Sequence, residues 1–265
     1  MLLKDRRILL TGATGGLGSA LAVELAKAGA KLGLVDTEYD QLGELYDKIQ
    51  PLTDAITCLS DITELRAQQN IVHDMYSAFG GTDILINNAG IKEFVEYTEQ
   101  KPAMIDRLLH VNVIAPMQLT RLLLPEMLSR ESGQIVNIGS PFGSTASAFF
   151  TAYSASKFAL RGFSEALRRE LSPTNVNVTY ISPRGIDTAI HGQAIFNMAK
   201  AARLKMDTPE KVARKIVKAI IKEKKEVYIG FNQSLACRIN GLIPRLTDIF
   251  ISRRTRIMRQ YTHHP

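Results

Sequence analysis

The sequence predicts an α/β fold, a parallel sheet covered by helices on both faces. Three observations predict it. Short β-rich runs alternate with longer helical stretches along the chain. A glycine-rich turn joins the first of these runs to the first helix. The 265 residues, 45% of them hydrophobic, fit one large domain with a substantial core.

Residues 6–11 read as the first strand, on the apolar run Ile8-Leu9-Leu10, and residues 16–28 as a helix closed by Gly29. A second strand is expected at 31–36, a third at 54–59 and a fourth at 82–86. Helices are expected over 62–79 and, as one long element, over 102–130. A fifth strand follows at 134–139, a helix at 152–171 and a sixth strand at 175–181. A helix over 209–222 and a short last strand at 226–229 complete the pattern. No internal repeat or linker interrupts it, so 1–230 reads as one domain and 231–265 as a C-terminal extension.

The two cysteines, Cys58 and Cys237, offer no disulfide framework, which favours a reducing compartment. Arg6 and Arg7 run into an apolar stretch too short for a signal-peptide core. No stretch approaches the roughly 18 apolar residues of a spanning helix. A cytoplasmic protein is expected, attached at most to a membrane face, and no metal site is expected. The net charge of +7 is concentrated late: Arg238, Arg245, Arg253, Arg254, Arg256 and Arg259 face a single acid, Asp248.

Thr11-Gly12-Ala13-Thr14-Gly15-Gly16-Leu17-Gly18 lies between the first strand and the first helix. Glycines allow the tight turn and a close approach of backbone to a pyrophosphate, at which the helix N-terminus aims its N–H groups. Asp36 closes the second strand 18 residues beyond Gly18, near the spacing expected of a ribose ligand. A carboxylate there accepts hydrogen bonds from a ribose 2′-hydroxyl and repels a 2′-phosphate, and neither Thr37 nor the turn offers a base. NAD(H) is therefore favoured over NADP(H). Asp36 is equally compatible with capping the following segment.

Tyr153 and Lys157 stand four apart on a helical stretch and share one face. Ser140 lies just past the fifth strand, where a parallel sheet opens its crevice. A free tyrosine titrates at about 10. A neighbouring ammonium stabilises the phenolate, and a serine hydroxyl can hold a reacting oxygen. Taken alone, such an i,i+4 pair is usually an ordinary surface pair; the combination carries the reading.

Over residues 6–230 the sequence resembles a classical short-chain dehydrogenase/reductase. The resemblance is carried by Thr11-Gly12-x-x-x-Gly16-x-Gly18, Asn87-Asn88-Ala89-Gly90, Asn112, Ser140 and Tyr153-Ser154-Ala155-Ser156-Lys157. It implies a single Rossmann-like, doubly wound domain with about seven parallel strands, and a homodimer or homotetramer. It implies Tyr153 as general acid/base, Lys157 lowering its pKa and gripping the nicotinamide ribose, and Ser140 stabilising the reacting oxygen. Asn112 would hold a relay water, Asp61 would contact the adenine, and Asn88-Ala89-Gly90 would pack beside the adenosine ribose. Pro183 and Thr188 would border the nicotinamide. Arg184 stands where the family usually has glycine, either as a solvated side chain or as a contact to an anionic group on cofactor or substrate.

By the same resemblance Phe142, Ala146, Ala148, Phe149 and Phe150, then Ile190, Ile195, Phe196 and Met198, flank the substrate. Their apolarity suggests a lipophilic molecule, although aromatics also simply fill cores and subunit contacts. In the extension, Leu235, Ile239, Leu242, Leu246 and Ile249 form an apolar stripe that Gly241 and Pro244 should break. It can lie on an anionic membrane, on a partner, or on the protein's own body. The expected activity is interconversion of a secondary alcohol and a ketone on a hydrophobic lipid-, steroid- or acyl-like substrate. A 3-oxoacyl carrier-protein reductase using NADPH and a non-catalytic dinucleotide-binding scaffold or sensor are the rivals. Nucleic acid is not an expected partner, because the arginines accompany no recognition module.

Overall fold

The computed structural model describes residues 2–187, 197, 201, 206–230, 237, 239–241 and 243–262. Within them, aliphatic runs form strands whose side chains alternate between two apolar faces. In β1 (Arg7–Thr11), Ile8 and Leu10 enter one core and Leu9 the other. The remaining strands are β2 (Lys31–Asp36), β3 (Ala55–Leu59), β4 (Ile84–Asn87), β5 (Gly133–Ile138), β6 (Val176–Pro183) and β7 (Glu226–Ile229). All seven pair in parallel, in the order β3-β2-β1-β4-β5-β6-β7. The predicted strands are all present, with ends shifted by up to two residues.

Three helices cover the first face: α1 (Gly16–Lys27), α2 (Tyr39–Ile49) and, late in the chain, a helix over Pro209–Ile221. Leu21, Leu25, Leu42, Leu45 and Ile216 meet the sheet there. The second face is covered by α3 (Leu65–Phe79), α5 (Ala115–Ser129) and α6 (Thr151–Glu170), through Ile71, Met75, Leu119, Leu123 and Leu167. Helix α2 had no counterpart in the sequence reading. Its buried positions, Leu42, Leu45 and Ile49, are only three residues among polar ones, a stripe too narrow to stand out.

The long helix expected over 102–130 is instead α4 (Pro102–Leu109), a π-helical turn (His110–Ile114) and α5. Pro116 is the physical reason: it has no N–H to close on the carbonyl of Asn112, four residues earlier, so the ladder widens there. Continuing the numbering, α7 is Pro209–Ile221, and α8 (Pro244–Arg259) lies in the C-terminal extension. Helix α8 starts with its proline in the first turn, as the sequence predicted.

At the N-terminal ends of β1 and β4, Asp83 ties the two strands together. The Arg7 backbone N–H and side-chain Nε both donate to Asp83 Oδ2 at 3.0 Å. Arg7 Nη1 also donates to the Gly80 carbonyl at 2.6 Å, and Arg130 Nη1 reaches Asp83 Oδ1 at 3.3 Å. Among the described residues no helix is long and apolar enough to cross a membrane, and no acid, histidine or cysteine cluster could hold a metal ion. Replacing Asp83 with Ala leaves two partly buried guanidinium groups short of their acceptor. The expected loss is about 2 kcal/mol, which thermal melting reads as a lower Tm, with cofactor affinity of the folded protein unchanged.

Candidate active site

The sheet order reverses between β1 and β4, and parallel sheets open a crevice beyond the C-terminal strand ends at such a point. Thr11 and Asn88 shape that crevice. Thr11 Oγ1 accepts the N–H groups of Asn88 and Ala89, both at 3.1 Å. Asn88 Nδ2 donates to the carbonyls of Thr11 (3.1 Å) and Gly12 (2.9 Å). Both side chains are thus committed to joining the glycine turn to the end of β4, which leaves the backbone of Ala89 and Gly90 to line the opening. Gly12 has φ +64°, and a Cβ there would stand 2.7 Å from Ala89 Cα. Only glycine meets both conditions.

Helix α1 begins at Gly16 behind Gly15, with no side-chain cap and no acid in its first turn. Its positive end therefore faces the crevice uncompensated. Asp36, at the end of β2, accepts the Thr14 N–H of the turn with Oδ2 and the Thr37 N–H with Oδ1, each at 2.8 Å. The carboxylate is fixed beside the turn, and each oxygen keeps a lone pair for a further donor. Asp61 Oδ1 accepts the Thr63 N–H (2.9 Å) and hydroxyl (2.8 Å), so its side chain closes a local turn ahead of α3.

Ser140 follows β5, 8% exposed, and its Oγ accepts the Phe142 N–H at 3.2 Å. A hydrogen bond joins its side chain to Tyr153 of α6. Lys157, one turn further on and almost fully buried, donates from Nζ to the Ile138 carbonyl (3.2 Å) and lies 5.8 Å from the Tyr153 ring centre. Burial pulls the Lys157 ammonium down to about 8. Burial also pushes the Tyr153 phenol up, only partly offset by the Ser140 bond. In the free protein, loss of water sets the direction of the Tyr153 shift, and the phenol holds its proton more tightly than a free tyrosine.

Asn112 joins two elements of the site. Its Nδ2 donates to the Ile91 carbonyl (2.9 Å) and to Ser156 Oγ (3.0 Å), while Oδ1 accepts the Ile91 N–H (2.9 Å). Both donors are used by protein acceptors, so the side chain links the 88–91 segment to α6. Ser156, not singled out from the sequence, completes that link by donating to the Tyr153 carbonyl at 2.7 Å. A second unforeseen residue is Tyr180 of β6, fully buried beneath Gly139, whose hydroxyl donates to the Ser140 carbonyl at 3.3 Å. Nothing in the local sequence around Tyr180 distinguishes it from any strand tyrosine.

Phe142 and Phe150 stack near Tyr153, each with its ring centre 6.2 Å from that of the tyrosine, and Phe149 joins them through Phe94. Pro183 closes β6, buried. Thr188, Ile190, Ile195, Phe196 and Met198 lie outside the described residues. Arg184 Nη2 pairs internally with Asp207 Oδ1 at 2.6 Å, and Lys211 reaches the same oxygen at 3.3 Å. Burial alone would raise the Asp207 carboxyl, but these two cations hold it below the usual range.

A buried ammonium with one carbonyl partner destabilises the fold below the pH at which it deprotonates. The unfolded lysine keeps its proton to 10.5, the folded one only to about 8, so stability should rise as pH climbs between these values. The methionine substitution at Lys157 removes that buried charge and leaves Ile138 without its donor. A net gain of about 1–2 kcal/mol at pH 7 is expected, with the rise above pH 8 abolished. Melting curves from pH 7 to 10 check both.

Comparison with known proteins agrees with this geometry. The family model described as short chain dehydrogenase matches residues 6–198. Ketoacyl reductase HetN of Nostoc sp. is 35% identical over 232 residues, covering 87% of this chain and 80% of that protein. Dehydrogenase/reductase SDR family member 7B of Mus musculus is 32% identical over 270 residues, covering 97% and 84%. The crystal structure of a short-chain dehydrogenase from Streptomyces avermitilis superposes with a TM-score of 0.79 at 28% identity, covering 95% of this chain and 98% of that one. With a parallel seven-stranded sheet, a glycine turn at its switch point and a family match over most of its length, the chain belongs to the short-chain dehydrogenase/reductase family of oxidoreductases.

Proposed function

We propose that the protein interconverts a secondary alcohol and a ketone on a lipophilic substrate, with NAD(H) as cofactor and Tyr153 as acid/base. The observation that carries this reading is the convergence of Ser140, Tyr153 and Lys157 from β5 and α6 on one desolvated spot. The residues present fit a dinucleotide. The uncapped start of α1 and the Gly12 turn suit a pyrophosphate, and the fixed Asp36 carboxylate suits a ribose diol. The backbone of Gly16, Leu17 and Gly18 would hold the phosphates, Ala89 and Gly90 the adenosine ribose, and Lys157 the nicotinamide ribose. A bound nicotinamide supplies or accepts the hydride.

The chain's own residues then handle the proton. In the reducing direction Ser140 Oγ holds the carbonyl oxygen, and Tyr153 Oη delivers its proton as negative charge develops there. The ammonium of Lys157, retained below about pH 8, stabilises the phenolate left behind. Asn112 and Ser156 keep α6 and the 88–91 segment in register, so the three groups stay within reach of one substrate oxygen. The apolar surround of Phe142, Phe149 and Phe150 supports a lipophilic substrate.

The relative named ketoacyl reductase supports a second reading, reduction of a 3-oxoacyl chain. That chemistry needs the same three residues and differs in the cofactor expected, NADPH. Fluorescence titration separates the two. NADH should bind at least about tenfold more tightly than NADPH, the weight of one lost charge-assisted bond and a like-charge contact, and Asp36→Ala should erase most of that margin. The opposite order would favour the acyl reductase, and binding of neither would overturn both dinucleotide-dependent readings. For the phenol, Tyr153→Phe should lower kcat/KM for ketone reduction by about a thousandfold while leaving NADH affinity within twofold.

A further inference from the structure

The C-terminal extension returns to the site. Asn240 Nδ2 donates to the Ser144 carbonyl at 2.8 Å, just past the Ser140 turn. Helix α8 then runs beside the start of α6. On the side of α6 away from Tyr153 and Lys157, Asp248 of α8 faces Ala148, Thr151 and Ala155 across an open groove. At the far end of α8, Met258 is 5% exposed and packs with Phe149 and Phe150, the aromatic group that also holds Phe142 and Tyr153. Ala148 belongs to both the groove and this group.

Two further contacts fix the end of the helix. Arg259 pairs with Glu96 at 3.4 Å, and its guanidinium lies 5.9 Å from the centre of the Phe149 ring. Phe149 itself has φ +65°, a backbone conformation that costs a bulky residue of order 1–3 kcal/mol unless its surroundings impose it. The surroundings here are the Val95 N–H, which donates to the Phe149 carbonyl at 3.0 Å, the Phe94 ring and the tail helix. The extension therefore holds in place the residue immediately before Phe150, which stacks near Tyr153.

Resting on the proposed reading of the site, we infer that α8 is the outer wall of the substrate pocket and that Met258 determines how much apolar bulk the substrate carries beyond its carbonyl. Met258 is buried within the aromatic group that holds Phe149, Phe150 and Tyr153, which places an α8 side chain beside the rings of the proposed site. Arg259 acts as a positioning residue, because its guanidinium reaches the Phe149 ring and pairs with Glu96.

The test uses the full-length protein, NADH or NADPH, and a homologous series of straight-chain methyl ketones from short to long. Met258→Ala should raise the kcat/KM ratio of the longest to the shortest ketone by about tenfold, the discrimination typical of a methylene-sized change in an apolar pocket. Cofactor affinity should stay unchanged. Arg259→Glu should also shift the ratio, and the reversed pair Glu96→Arg with Arg259→Glu should restore it. A ratio that stays within twofold of the unaltered protein, with only Tm reduced, overturns the inference and leaves the reading of the site standing. Failure of the unaltered protein to reduce any ketone overturns that reading, and the inference falls with it.

Discussion

Everything at the crevice depends on one hydrogen-bonded join, the mutual bonding of Thr11 and Asn88 across the point where the sheet order reverses. A parallel sheet must split its crossovers to either side somewhere, and the two strand ends there diverge unless something holds them. Thr11 does so with a single hydroxyl that takes two backbone N–H groups, and Asn88 returns two donors to the turn carbonyls. The join brings the glycine turn against Ala89 so closely that no side chain fits at Gly12. Asn112 continues the same logic outward, from Ile91 to Ser156 and thence to the helix that bears Tyr153 and Lys157.

The site is built at the expense of stability. Lys157 sits without a carboxylate partner in an apolar surround, Tyr153 is raised by burial, and Phe149 adopts a left-handed backbone. Each is unfavourable alone, and each is imposed by neighbours whose own packing is ordinary. The protein offsets these terms at the far end of the sheet, where Asp83 gathers Arg7 and Arg130 around the first two central strands. Stability and chemistry thus occupy opposite ends of the same strands, so a change at one end need not be felt at the other. Arg184 belongs with the stabilising set, since its charge is absorbed by Asp207 rather than offered to the crevice.

The extension shows how a basic amphipathic stretch acquires a role that charge alone does not specify. An apolar stripe flanked by arginines suits a membrane, a partner or the protein's own surface equally well. In the structure Met258 and Arg259 are spent on the aromatic group and on Glu96, which supports the third of these.

By itself the sequence determined the seven strands, the helices with broad apolar faces, the glycine turn after the first strand, and the candidate trio Ser140, Tyr153 and Lys157. These are local or fixed-spacing features: aliphatic periodicity, glycines at set intervals, two residues one helical turn apart. Tertiary structure alone decided the rest. Helix α2 was lost to a stripe of three apolar residues, and the break at 110–114 arose because Pro116 removes a bond whose importance depends on what Asn112 meets across space. That Asn112 and Asn88 spend their amides on backbone, that Arg184 pairs with Asp207, and that Tyr180 lies under Ser140 are contacts between residues far apart in the chain. The direction of the Tyr153 shift belongs there too. A neighbouring lysine can be read from spacing, but the water excluded around both groups is set by Phe142, Phe150 and the sheet, which only the folded chain assembles.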